Sequence, residues 1–350
     1  MVILAIETSC DDTCIAIVEA KGRKRPRFKI LANVVSSQIE VHKKYGGVYP
    51  SLAKREHERN LPKVLKRVLA SADLVNAIAV TVGPGLDPCL WAGVNFAKGL
   101  AKNWNLPIVP VNHIEAHILV NFIDQIQNFP AMALIVSGGH TQLILVKDIG
   151  KYKIIGETRD DAAGECFDKV AKILGLGYPG GPIIAKLATE RNVRSSVSNI
   201  VSIKLPRPMI NQKNYDFSFS GLKTAVLYKV RNTKAGEKKK KEFIQEMCRE
   251  AQQAVIDVLI KKTIRAAKEY RVKSVILGGG VSANQELRKR FLRETRPLGR
   301  GRVSLKLLFP DEKFSTDNAV MTGIAGYYNY LQGKTGKIDK IRAEANLRIN

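Results

Sequence analysis

An α/β protein of two related lobes is the architecture the sequence predicts, and three patterns carry it. Residues 2–7, 13–19 and 28–36 are apolar-rich runs parted by turn chemistry at Ser9-Cys10-Asp11-Asp12 and Lys21-Gly22-Arg23-Lys24-Arg25-Pro26, which reads as a three-stranded meander. A second meander follows at Ala131 to Val136, Thr141 to Val146 and Tyr152 to Glu157. After each meander, buried-type strands alternate with helical periodicity, and 350 residues suit two domains. The first hairpin of each half carries small and polar residues, Thr8 to Thr13 and Ser137-Gly138-Gly139-His140-Thr141. Two such lobes facing each other would make a central cleft, with hairpin tips and Gly-rich strand ends pointing into it.

Between the meanders, Pro50 to Ala70 reads as a helix through Leu52, Leu61, Val64, Leu65 and Val68, with Pro62 a point for a kink or restart. Val75 to Val82 is a buried strand entering Gly83-Pro84-Gly85; Leu90 to Asn103 is helical and Pro107 to Val111 a short strand. Beyond the second meander, helices are expected at Ala163 to Leu174, Pro182 to Arg191, Phe219 to Val230 and Glu242 to Tyr270, the last with a core stripe from Phe243 to Leu259. Ser274 to Leu277 is a strand opening into Gly278-Gly279-Gly280, Asn284 to Glu294 a helix, Val303 to Phe309 a strand and Asp317 to Tyr330 a final helix. The expected domains are 1–111, with the helix at 317–331 packing back on it, then 112–316 with helical insertions, then a basic C-terminal tail at 332–350.

Lys and Arg number 57 against 32 Asp and Glu, a net charge of +25 spread along the chain. Such an excess implies a polyanionic partner, RNA before a membrane because no amphipathic basic anchor is present. No run is long and apolar enough to span a bilayer, and the opening Met1 to Ile6 stops at Glu7, short of a signal-peptide core, so a cytoplasmic location is expected. The five cysteines are scattered, and Cys10 and Cys14 are spaced C-x3-C with no second pair, so they read as reduced, buried thiols.

Two of the five histidines, His113 and His117, follow a buried strand at i and i+4. On a helix that spacing puts them on one face, with Cβ atoms roughly 6 Å apart, so both imidazoles can reach one ion, though a third ligand must come from elsewhere. Gly138-Gly139 reads first as a hairpin turn, and it also lets backbone amides and the Ser137 hydroxyl approach a phosphate or carboxylate. Gly278-Gly279-Gly280 at a strand end suits a nucleotide lying across the backbone, with Asn284 offering donor and acceptor. It is neither G-x-G-x-x-G nor a P-loop. Asp160, Asp161 and Asp168 read first as helix-capping charges, and Ser315-Thr316-Asp317-Asn318 as a helix N-cap.

Together, Ile6-Glu7-Thr8-Ser9-Cys10-Asp11-Asp12-Thr13, Tyr45-Gly46-Gly47-Val48-Tyr49-Pro50, His113 to His117, Val136 to Gln142, Asp160 to Asp168, Tyr178 to Pro182, Phe217 to Lys223, Gly278 to Asn284 and Ser315 to Asn318 resemble the bacterial-type tRNA threonylcarbamoyltransferase (TsaD) family over nearly the whole chain. The resemblance implies an actin-like ATPase-type (ASKHA) fold. It also implies transfer of threonylcarbamoyl from threonylcarbamoyl-AMP to N6 of adenosine 37 in tRNAs reading ANN codons. By motif match, His113, His117 and Asp317 would bind one divalent metal ion, iron or zinc, and Ile135, Val136, Ser137, Gly138, Gly139, Asp168, Gly181 and Asn284 would hold the adenylate. Asp11 and Asp12 are the candidate catalytic carboxylates, with positioning and electrostatics favoured over proton transfer because relatives often carry Glu where Asp12 stands. Asp87-Pro88-Cys89 is a second departure, where relatives have small residues. Implied partners are tRNA, a shorter actin-like paralogue (TsaB-like) and a small ATPase (TsaE-like), with no membrane. Rival readings are a nucleotide-binding actin-like scaffold and a metalloprotease; the latter lacks H-E-x-x-H, since Glu115 stands at another offset.

Overall fold

A computed structural model describes residues 1–70, 74–123, 128–190, 203–238, 240–296 and 305–349. Two compact units result: Met1–Phe129 with Val146–Lys153 and Leu308–Asn350, and Pro130–Leu145 with Ile154–Leu307.

The first unit is built on a five-stranded sheet of order β3-β2-β1-β4-β5, with β1 Val2–Glu7, β2 Asp12–Lys21, β3 Arg27–Ser37, β4 Ala77–Gly83 and β5 Ile108–Asn112. β1 runs antiparallel to β2 and parallel to β4, in register Ile3↔Val18 and Ile3↔Ala77. Alternation along β1 sends Leu4 and Ile6 into a cluster with Leu61, Val64 and Val68 of helix Pro50–Leu69 and with Val94, Ala97 and Ala101 of helix Asp87–Trp104. Ala5 points the other way, to helix Ala319–Leu331, where a Cβ on Gly323 would stand 3.3 Å from the Ala5 Cβ and one on Gly326 2.5 Å from that of Ala79. Small residues on both elements thus let that helix lie close on the sheet. Coverage of both faces explains why β1 and β4 are almost continuously buried rather than alternating.

Pro62 does not break its helix, which runs on to Leu69, and Pro88 sits in a first turn, where its missing N–H costs nothing. The Asp87-Pro88-Cys89 departure is thereby absorbed: Asp87 is an acid in the helix's first turn, and the Cys89 carbonyl accepts from Thr8 Oγ1 at 2.9 Å. The His113–Leu119 helix, assigned from sequence to the second lobe, belongs to the first unit because it continues directly from β5. Residues 332–349 are not a free tail. Gly336 bridges to Ile108, the Glu344 amide donates to the Val82 carbonyl at 2.7 Å, and Ile341 and Leu347 enter the core.

The second unit has a sheet of order β10-β9-β6-β7-β8, with β6 Ala131–Val136, β7 Thr141–Asp148, β8 Lys151–Glu157, β9 Ser274–Gly278 and β10 Lys306–Leu308. Numbered within each half, both sheets share the order 3-2-1-4-5, the structural form of the duplication seen in the sequence. β6 pairs parallel with β9, Ala131 opposite Ser274 and Ile135 opposite Gly278. Helices Ala163–Ile173, Gly180–Thr189, Ser220–Asn232, Lys241–Glu269 and Gln285–Thr295 accompany it. Of the expected Val303 to Phe309 strand, residues 303–304 lie outside the described residues, as does Arg191 at the end of one expected helix.

Candidate functional site

Asn112 caps the His113–Leu119 helix, its side chain accepting from the amides of Ile114 (2.9 Å) and Glu115 (3.2 Å). One helical turn then stacks His113 and His117 edge to face, ring centroids 4.6 Å apart. Both are buried. Asp317 arrives just before the cap Asn318 of helix Ala319–Leu331, whose side chain accepts from Met321 N. Its Oδ1 stands 3.2 Å from His117 Nε2 and 3.6 Å from His113 Nε2. One ligand atom from each of the three residues falls within 4.8 Å of the others.

That arrangement fits a small divalent ion. Metal–ligand bonds of about 2.0–2.2 Å put neighbouring ligand atoms roughly 3.0–3.5 Å apart, close to the two His–Asp separations. Two imidazoles with one carboxylate suit iron or zinc and leave coordination positions open. The outer groups are in place too. Glu7, fully buried at the end of β1, takes His113 Nδ1 at 3.1 Å, and Ser9 Oγ lies at 3.1 Å from the same nitrogen. With Nδ1 thus engaged, Nε2 is the nitrogen left for an ion, the carboxylate–histidine arrangement common around bound metals. Glu7 in turn accepts from the Ser9 amide and from Thr81 Oγ1, both at 2.6 Å.

Electrostatics follow from this enclosure. Burial alone would depress the His113 imidazole, but the Glu7 and Asp317 carboxylates overcome it and raise its pKa to about 9. His117 is pushed below its ordinary value, first by burial and then by its cationic neighbour His113. Burial would raise Glu7, and the His113 charge outweighs it, so Glu7 stays an anion.

The hairpin between β1 and β2 holds Asp11 and Asp12 in the same unit. Burial, reinforced by the Asp11, Asp317 and Glu7 charges and resisted by the Ser37 hydroxyl, lifts Asp12 to about 7. Asp11 is raised as well, chiefly by burial. His57 fastens this hairpin, its Nε2 donating to the Cys10 carbonyl at 3.0 Å while Nδ1 accepts from Thr13 Oγ1 at 2.8 Å. Glu115, in contrast, is turned to Tyr152 Oη (2.8 Å) and Asn329 Nδ2 (3.2 Å), which leaves it no role as a base beside the histidines.

In the second unit, Ile135 and Val136 end β6 and Ser137-Gly138-Gly139 make the turn to β7, closed by Ser137 N to the His140 carbonyl at 2.8 Å. Two glycines allow close packing behind it. A Cβ at Gly164 would lie 2.5 Å from the Ser137 carbonyl oxygen, and one at Gly279, whose φ is +84°, 2.4 Å from that of Val136. Gly138, Gly139 and Gly181 show the opposite, with nothing within 4 Å of an added Cβ, so their backbone is open to a ligand. Asp168 Oδ1 accepts from Gly180 N at 2.7 Å, and Asn284 caps Gln285–Thr295 while donating to Gln252 Oε1 at 2.8 Å. Asp168 therefore braces the turn that carries Gly181, and Asn284 braces the start of helix Gln285–Thr295.

Residues 29–324 match the family model described as TsaD: tRNA N6-adenosine threonylcarbamoyltransferase. The chain belongs to that family. The tRNA N6-adenosine threonylcarbamoyltransferase of Thermosipho africanus is 44% identical over 354 residues, covering 100% of both chains, and that of Clostridioides difficile is 42% identical over 357 residues, covering 100% of this chain and 99% of its own. Among solved structures, HypF in its phosphate- and nucleotide-bound form is similar at TM-score 0.54 and 13% identity, over 94% of this chain and 55% of that one. Component A of the Acidaminococcus fermentans (R)-2-hydroxyglutaryl-CoA dehydratase is similar at TM-score 0.51 and 13% identity, over 95% and 99%. The fold is of the actin-like ATPase type. Glu7 and Ser9, which meet His113 Nδ1, are site residues that the sequence pattern does not single out. A carboxylate closing an apolar strand was their one signal.

Proposed function

We propose that this chain transfers the threonylcarbamoyl group of threonylcarbamoyl-AMP to N6 of adenosine 37 in tRNAs reading ANN codons. The observation that carries the site is the convergence of His113, His117 and Asp317 in a member of this family. Those residues would hold one divalent iron or zinc ion, which when bound supplies a Lewis acid and a template for the acyl oxygens. In the transfer, the adenosine amine forms a bond to the carbamoyl carbon, the bond from that carbon to the phosphate oxygen breaks, AMP departs with the electron pair, and the amine loses a proton. Asp11 and Asp12 orient the amine and offset the charge that develops on it. The open backbone at Gly138, Gly139 and Gly181, with Ile135, Val136, Ser137, Asp168 and Asn284 around it, holds the adenylate.

The net charge of +25 supports tRNA as the acceptor. No described helix is long and apolar enough to cross a membrane. We place the reaction in the cytoplasm, with a TsaB-like paralogue and a TsaE-like ATPase as partners. Nucleoside mass spectrometry of tRNA after incubation with threonylcarbamoyl-AMP and those partners should show the modified adenosine. Its absence with the wild-type chain overturns the proposal.

A further inference from the structure

One surface of the first unit plays no part in the metal centre. Tyr45 and Tyr49 are 54% and 56% exposed, and their rings stack on each other, centroids 5.9 Å apart and planes 29° from parallel. The Lys44 ammonium lies 5.3 Å from the Tyr45 ring centroid, and Lys43, exposed next to it, has Glu40 at 3.5 Å as its one ionic neighbour among the described residues. Aromatic faces left in water gain free energy when a partner covers them. The space above the turn between the rings is open, since a Cβ at Gly46 or Gly47 would meet nothing within 4 Å.

The pair is held in place. The Tyr49 amide donates to His42 Nδ1 at 3.3 Å, His42 Nε2 donates to Gln38 Oε1 at 3.1 Å, and the Gln38 amide donates to the Asp11 carbonyl at 3.1 Å. His42 and Gln38 are both buried, so this chain of bonds is shielded from water. The exposed rings are thereby tied to the hairpin that carries Asp11 and Asp12.

From these contacts we infer that Tyr45 and Tyr49 form a stacking platform for an unpaired base in the loop of the RNA substrate, with Lys43 and Lys44 taking the adjoining phosphates. Paired π-faces rimmed by cations match a base with its phosphates, because stacking accepts any base and the ammonium groups meet the backbone. This rests on the proposed tRNA activity and adds the residues that grip the RNA.

Fluorescence anisotropy with tRNA, and with a stem-loop RNA against the same strand annealed into a duplex, gives affinity without turnover. Modification kinetics with the partner proteins give KM and kcat. Tyr45→Ala and Tyr49→Ala should each weaken tRNA and stem-loop binding about 5- to 150-fold, the range for losing one base–aromatic stack. The loss should reach KM for tRNA, leave kcat at saturation unchanged, and be missing with the duplex. Tyr49→Phe, which keeps the π-face, should bind as wild type. Wild-type affinity and KM in both alanine variants overturn the inference, including the outcome in which only partner-protein binding changes. If the wild-type chain leaves tRNA unmodified, the proposed activity fails instead, and the binding arm still decides the platform.

Discussion

Glu7→Gln tests the proposed metal site through a residue that is not one of its three donors. In the wild type, Glu7 Oε2 takes both His113 Nδ1 (3.1 Å) and Thr81 Oγ1 (2.6 Å), while Oε1 takes the Ser9 amide (2.6 Å). All three neighbours can donate to a carboxylate; an amide can accept from only one side. If its oxygen serves Ser9, its NH2 confronts His113 Nδ1, which must then accept, and the ring proton moves to Nε2 where the ion would bind. If its oxygen serves His113, its NH2 confronts the Ser9 N–H, leaving two buried donors face to face. Either way the ligand tautomer is no longer enforced. Loss of such an outer carboxylate typically costs about 10- to 100-fold in metal affinity, or about 1.4–2.7 kcal/mol. Competition against a chromophoric chelator measures this directly, with circular dichroism as the check on folding. Modification activity should fall at limiting metal and recover as metal is raised. A metal Kd equal to wild type in a folded Glu7→Gln protein would refute the tautomer argument.

Asp317→Ala and His117→Ala each remove one of three converging donors and should abolish stoichiometric metal, read by metal analysis of anaerobically purified protein, together with tRNA modification. Asp12→Asn should stabilise chelator-treated protein in a pH-dependent way. The native pKa of about 7 lies above the unfolded carboxylate's value of about 3.9, so the wild type binds an extra proton on folding between those limits and loses stability as pH rises through them. Thermal melts should therefore show the variant's advantage growing from acid to about pH 7 and flat above. It should reach about 1–2 kcal/mol, because Asp12 keeps partial contact with water. Gly279→Ala forces a side chain onto a φ of +84° with its Cβ 2.4 Å from the Val136 carbonyl oxygen, so denaturant melts should show a loss of about 2 kcal/mol or more.

Much of this was legible in the sequence because burial is local. The β6 strand runs from Ala131 to Val136 as expected, since a six-residue apolar run bounded by turn residues has few other ways to bury itself. The His113 and His117 pair was legible for the same reason: i and i+4 fix a shared face. Boundaries set by proline were harder. The helix expected from Leu90 begins at Asp87, because Pro88 in a first turn needs no N–H, and Pro62 is exposed on a helix whose packing face holds regardless. Asp317 entered through resemblance, because nothing local ties it to a histidine 200 positions away. Glu7 shows the limit most clearly. Its partners Thr81, His113 and Thr322 come from three distant elements, so its role exists only in the packed unit.

The separation of His117 and Asp317 has a consequence for biosynthesis. As the ribosome extends the chain, His117 emerges 200 residues ahead of the carboxylate that faces it, His113 one helical turn sooner, and Glu7 and Ser9 earlier still. A nascent chain halted anywhere before Asp317 offers an ion only two imidazoles. At the proposed site an ion would therefore gain its third donor only once Asp317 has been made and has packed beside the two histidines.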